Sequence, residues 1–227
     1  MDFFSYVGSQ LDTLVFYGQQ HFLLVLIAVG IASAISLVAG TLLHTNQLTP
    51  DSWSKPVRIG SREALLIAGS AALTIPSIAL FGMLQPLLGI GVAPSVFALT
   101  LYSIYPVLRN VVAGLSSVDD AVLESARGMG MGPVRRMLSI QLPLAWPVIL
   151  SGIRVAVLII VGIAVVAGAI NGPGFGSSLF LGLRRIGSVN SFNQVLAATL
   201  GCLVVAAVYE LVFWIVQRST TPRGIRV

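Results

Sequence analysis

Few residues in this chain can do chemistry, and most of them share one segment. Glu124 to Pro143 reads ESARGMGMGPVRRMLSIQLP. It holds Glu124, the bases Arg127, Arg135 and Arg136, and a series of breakers: Gly128, Gly130, Gly132, Pro133 and Pro143. The glycines are spaced G-x-G-x-G with no strand before them. That is not the G-x-G-x-x-G turn that cradles a dinucleotide. Cys202 is the one cysteine and lies in an apolar run, so it lacks a disulfide partner and makes no metal site alone. It reads as a small packing residue. No grouping suggests a catalytic residue or a metal centre. The chemistry on offer is recognition: a short polar surface that another protein can grip, and two isolated charges, Arg154 and Glu210, set in apolar sequence.

The elements that carry these residues belong in a membrane. Of 227 residues, 56% are hydrophobic and 9% charged, and the mean hydropathy is +0.94. A soluble domain has about 25% charged residues, enough to cover a wet surface. Five apolar stretches approach the roughly 20 residues needed to span a bilayer. They are 21–43, 63–84 (broken at Pro76), 92–112 (with Pro106 near its end), 147–170 and 194–216. Only the punctuation in QPLLGIGVAP divides the second from the third. The N-terminal MDFFSYVGSQLD has acids and no base, so it is not expected to act as a secretory leader, and the first stretch is expected to stay as an anchor.

Charge sets the expected orientation. Lys55, Arg58 and Arg62 follow the first span. Arg109, Arg127, Arg135, Arg136 and Arg154 lie in or beside the connection between spans three and four. Arg218, Arg223 and Arg226 are in the tail. These are eleven of the thirteen basic residues, and only Arg184 and Arg185 fall on the other side. Basic residues collect in cytoplasmic loops, so the N-terminus is expected outside and the C-terminus inside. This placement, rather than nucleic acid, explains a pI near 10. Trp146 and Trp214 fall near cytoplasmic span ends, as interfacial aromatics do.

The segment 117–143 thus lies in the longest cytoplasmic connection. Its first half has helix signals. Ser117 with Asp120 fits a capping pattern, Asp119 and Asp120 suit the first turn, and Gly130 with Pro133 provides the stop. Ala121, Val122, Ser125 and Ala126 form a small, mildly apolar face suited to close approach. Two readings remain on physics alone: a helix that docks on a partner, or an interfacial helix lying on lipid.

The motif Glu-Ala-Ala, three residues, Gly, nine residues, Ile-x-Leu-Pro marks membrane subunits of ATP-driven importers that use binding proteins. This chain resembles them through Glu124-Ser125-Ala126, Gly130 and Ile140-Gln141-Leu142-Pro143, with Ser125 as the single departure. The resemblance implies a coupling helix that docks on an ATPase subunit. Glu124 and Gly130 would carry the docking, and Ala126 would give the close-packing face. IPSIALFGMLQPLLGIGVAPSVFALTLYSIYPVLRN, LPLAWPVILSGIR and TTPRG extend it, over about residues 60–224, to the osmoprotectant branch that imports glycine betaine, choline or carnitine. The resemblance is weaker over the first span and NQLTPDSWSKPVRIGSRE.

A quaternary ammonium is usually held by aromatic faces. No cage is evident here, since Trp53, Trp146 and Trp214 all fall near the cytoplasmic face. Tyr102 and Tyr105 are possible lining residues or packing residues. The same two readings hold for Pro76, Ser77 and Phe81, where a proline frees backbone carbonyls. Selectivity is therefore expected in a separate external binding protein. Arg154 and Glu210 both fall about 10 Å from the cytoplasmic edge at 1.5 Å per residue, so they are expected to pair, with substrate contact as the alternative. INGPGFGSSLFLGLRRIG is either part of an external gate facing the binding protein or a surface turn.

The expectation is an all-α membrane protein of about five transmembrane helices with a cytoplasmic coupling helix. It would be one permease domain, residues 1–227, in a bacterial plasma membrane. It would hold no cofactor, with ATP and Mg on the partner. Two ATP-binding subunits, a second permease copy or paralogue and an external binding protein would complete the transporter. The alternatives are an importer of another zwitterion, such as a betaine thiol, and a secondary transporter or channel acting alone. A stand-alone carrier would be expected to show midplane coupling residues or repeated halves.

Overall fold

The computed structural model describes residues 2–45 and 55–220, with side chains for 2–44 and 63–220. Trp53, Arg223 and Arg226, and the side chains of Lys55, Arg58 and Arg62, lie outside that description. Every regular element among the described residues is helical. In chain order these are α1 (Phe3–Ser9), α2 (Leu11–Thr45), α3 (Lys55–Thr74), α4 (Ser77–Leu88), α5 (Val92–Ser116), α6 (Asp120–Gly128) and α7 (Pro133–Arg136). A π-helical turn (Met137–Gln141), α8 (Leu142–Ala164), a 3-10 stretch (Val165–Ile170), α9 (Phe175–Arg184) and α10 (Ser191–Thr220) complete the chain.

Four helical segments are long and apolar enough to cross a membrane, and the bent pair α3–α4 makes a fifth. At the centre is α5, packed chiefly on α2 and α8, with α3 and α4 on another side and α10 packed on α8, α9 and α2. Its buried residues include Leu99, Tyr102, Val107 and Val111. Close approach is built in where α5 meets its neighbours. A Cβ on Gly114 would sit 3.0 Å from the Ala145 carbonyl oxygen, and one on Gly69 would sit 3.3 Å from Tyr105. Outward faces of the long helices carry Leu, Ile, Val and Phe, as lipid-facing helices do.

Several boundaries differ from the expected ones for physical reasons. The first long helix begins at Leu11, not 21. Asp12, Gln19 and Gln20 depress the hydropathy, yet a helix satisfies its backbone whatever its side chains. Its 35 residues reach about 52 Å, beyond the roughly 30 Å hydrocarbon core. The backbone from Lys55 is helical rather than a loop. The second span bends by 97° at Ile75–Pro76. The third continues through Pro106 to Ser116. The fourth starts at Leu142, with Pro143 in its first turn and Pro147 inside it. The fifth runs from Ser191 to Thr220.

The glycine-rich connection is not a surface turn. Ala167, Gly168, Ile170, Gly172, Gly174 and Phe175 are buried, and Asn171 takes a left-handed conformation (φ 57°). Gly168 and Gly176 are packed too tightly for any side chain, and a Cβ on Gly174 would sit 2.8 Å from His21 Nδ1. The Gly174 amide donates to Gln20 Oε1 at 3.2 Å, and His21 Nε2 lies 3.1 Å from the Val161 carbonyl oxygen. The connection is thereby folded against α2.

Candidate functional site: the segment between α5 and α8

The helix α6 is started by Asp119, whose carboxylate accepts from the Ala121 amide at 2.9 Å. Ser117, the cap expected from the sequence, ends the preceding helix instead: its hydroxyl donates to the Gly114 carbonyl at 2.8 Å. Both residue types suit a cap, so sequence alone did not separate them. The stop is a double hydrogen bond. Gly130 N–H reaches the Arg127 carbonyl at 2.9 Å, and Met131 N–H reaches back to Ala126 at 3.1 Å. This is the Schellman arrangement, and it places Gly130 in the left-handed region, φ 77°. A Cβ there would meet nothing within 4 Å, so the demand for glycine is conformational.

The faces of α6 divide differently from the expected set. Leu123 and Ala126 are buried against the chain itself. Ala121, Val122, Glu124, Ser125 and Arg127 are exposed. Ala126 is therefore unavailable to a partner, and the open small-residue surface is Ala121, Val122 and Ser125. Glu124 projects from that exposed side. Leu123 was missed because it falls between the small residues taken to mark one face.

Beyond α7 the chain makes a π-helical turn, in which Leu142 N–H reaches Met137 rather than a residue four back. Pro143 explains the lapse: it has no N–H to close the α-helical bond to Ser139. Arg136, Met137 and Gln141 are buried here. Among the described residues Arg136 Nε and Gln141 Oε1 have no hydrogen-bond partner, and Gln141 Nε2 lies 3.5 Å from His44 Nε2. Ile140 is half-buried. Leu142 and Pro143 line an apolar cavity of about 530 Å³ with Leu37, Thr41, Met137 and Trp146. Thus the first part of the motif offers a surface, and its Ile-x-Leu-Pro end attaches that surface to α2 and α8.

Arg154 and Glu210 meet. Nε donates to Oε1 at 3.0 Å, and Nη2 donates to Oε2, joining α8 to α10 bidentately. Their side chains keep 43% and 33% of their surface exposed on the single chain. The residues near the α3–α4 bend do not form one lining. Pro76 is exposed, Ser77 half-buried and Phe81 fully buried. The buried Tyr102 donates its hydroxyl to the Ile75 carbonyl at 2.8 Å, satisfying a group released by the bend. Tyr105 packs near Gly69 and accepts from Arg109 at 3.4 Å. Trp146 donates to Thr220 at 3.0 Å, and Arg218 stacks 5.4 Å over Trp214. Among the described residues, no group of His, Cys, Asp and Glu could hold a metal ion.

Residues 61–222 match the family model described as binding-protein-dependent transport system inner membrane component. Over its whole length the chain is 35% identical to the osmoprotectant import permease protein OsmW of Salmonella typhimurium, all of which is covered. It is 35% identical over 67% of its length to the choline transport system permease protein OpuBB of Bacillus subtilis, covering 69% of that protein. A chain of the MetNI methionine ABC transporter in an inward-facing conformation shares this fold, superposing with a TM-score of 0.78 and covering 94% of this chain and 99% of that one at 18% identity.

Proposed function

The chain belongs to the family of binding-protein-dependent transport system inner membrane components, and on that premise we propose that it imports osmoprotectants. Glycine betaine, choline and carnitine are the cargo class. The reading rests on the full-length 35% identity to an osmoprotectant import permease. The chain would form the passage with a second permease copy or paralogue. Two separate ATPase subunits would dock, one on the α6 of each permease, and an external binding protein would select the cargo. The N-terminus would be external, and the chain would be one permease domain. No residue here would perform catalysis, and ATP with its Mg would sit on the ATPase.

The exposed surface of α6 supports the coupling role. ATPase closure pushes on Glu124 and the small residues beside it. The Schellman turn fixes where that helix ends, and the π-turn carries the displacement to α8. Arg154–Glu210 then ties α8 to α10, so the two move together. The test of cargo is competition of glycine betaine, choline and carnitine for the cognate binding protein, followed by uptake into vesicles holding the full transporter. ATP-dependent uptake of at least one of the three is expected. Uptake confined to a betaine thiol or another amino acid would move the cargo assignment while leaving the permease role in place.

A further inference from the structure

At the end of the molecule opposite α6, a cavity of about 350 Å³ lies between α1, the start of α2, α9 and the start of α10. Its size is within the range of ligand sites. Tyr6, Gln10, Tyr17, Ser178, Arg185 and Gln194 are among its walls, and Arg185 is the one charged residue lining it. Among the described residues, no acid pairs with that guanidinium. The buried Ser178 accepts from Gln194 at 3.5 Å, which holds α9 to α10 behind the cavity. Burial, and then the neighbouring Tyr17, raise the Tyr6 hydroxyl above its ordinary pKa, so it remains a neutral donor. Val189 lines it, and Phe4, Ile186 and Phe192 lie within two residues in sequence of other wall residues; all four are between 74% and 84% exposed.

A polar cavity with one cation that no described acid pairs, next in sequence to exposed apolar residues at the end of a bundle of apolar helices, matches the two-part character of a lipid. We propose that it holds the phosphodiester headgroup of a phospholipid from the leaflet at this end. Arg185 takes the phosphate through its planar fork, and Tyr6, Tyr17 and Gln10 supply further hydrogen bonds. The single negative charge of a phosphodiester balances Arg185, and the acyl chains lie over Phe4, Val189 and Phe192. α1 then rests on the membrane surface as an amphipathic helix, closing the cavity from the side.

Native mass spectrometry of the detergent-exchanged transporter tests this. The wild-type chain retains a phospholipid, and Arg185→Gln loses it, with occupancy falling roughly tenfold or more, as loss of a charge-assisted contact implies. Arg185 is exposed, so the fold tolerates the change, and Arg184→Gln serves as the control that keeps the lipid. Tyr6→Phe lowers retention in the same direction. Equal retention by Arg185→Gln overturns the proposal, as does equal loss from Arg184→Gln. Millimolar inorganic phosphate replacing the lipid would identify an anion site rather than a headgroup site, and displacement by glycine betaine would identify a cargo site. Either result also overturns it.

Discussion

Gly130 illustrates how much a single residue can settle. Its left-handed backbone costs other L-residues roughly 1–2 kcal/mol, asparagine least. We therefore expect Gly130→Val to lose ATPase co-purification and uptake, while Gly130→Asn keeps most of both. Equal loss in the two would point to a missing surface contact instead of a broken turn. For Arg154 and Glu210, truncating either alone should destabilise by about 1–2 kcal/mol. That is below the 3–5 typical of fully buried pairs, because both side chains are partly open. The double reversal Arg154→Glu with Glu210→Arg should recover most of the loss in detergent melting temperature. The pairing was legible in sequence, since two charges at one depth in apolar helices need each other. The burial of Ala126 was not, because a small residue suits either a partner's surface or the chain's own core.

At the scale of elements, the beginnings and ends of helices test the account. Asp119→Ala should expose α6 to hydrogen exchange, at a cost of about 1 kcal/mol, and Ser117→Ala should leave α6 protection unchanged. The reverse order would restore Ser117 as the cap. At the α3–α4 bend, Tyr102→Phe strands the Ile75 carbonyl, and a loss of about 1–3 kcal/mol is expected in thermal unfolding. Unchanged stability would mean that another group satisfies that carbonyl. Hydropathy found the five apolar stretches but stopped short of their ends. Helices extend past the membrane while their side chains become polar, as Asp12 and Gln19 show. It gave no warning of the π-turn, which depends on a missing N–H at Pro143 and on the packing of Arg136 and Gln141. Nor did the glycines of INGPGFG announce a buried connection, since glycine serves a solvent turn and a tight packing contact equally well.

For the whole molecule, the parts form a line from one end of the helical bundle to the other. The helix α6 is closed by Gly130, a π-turn leads into α8, an ion pair ties α8 to α10, and a packed connection sits against α2 at the far end. On the proposed reading the chain leaves chemistry to its ATPase partner, and its own work would appear as coupling between ATP hydrolysis and passage of cargo. Uptake of labelled glycine betaine into vesicles containing the permease, its ATPase and its binding protein measures that coupling directly, with wild type and Gly130→Val side by side. We expect uptake that needs ATP and the binding protein, and that falls to background in the variant although the variant still inserts in the membrane. Uptake by the permease without ATP, or undiminished uptake in Gly130→Val, would contradict the account.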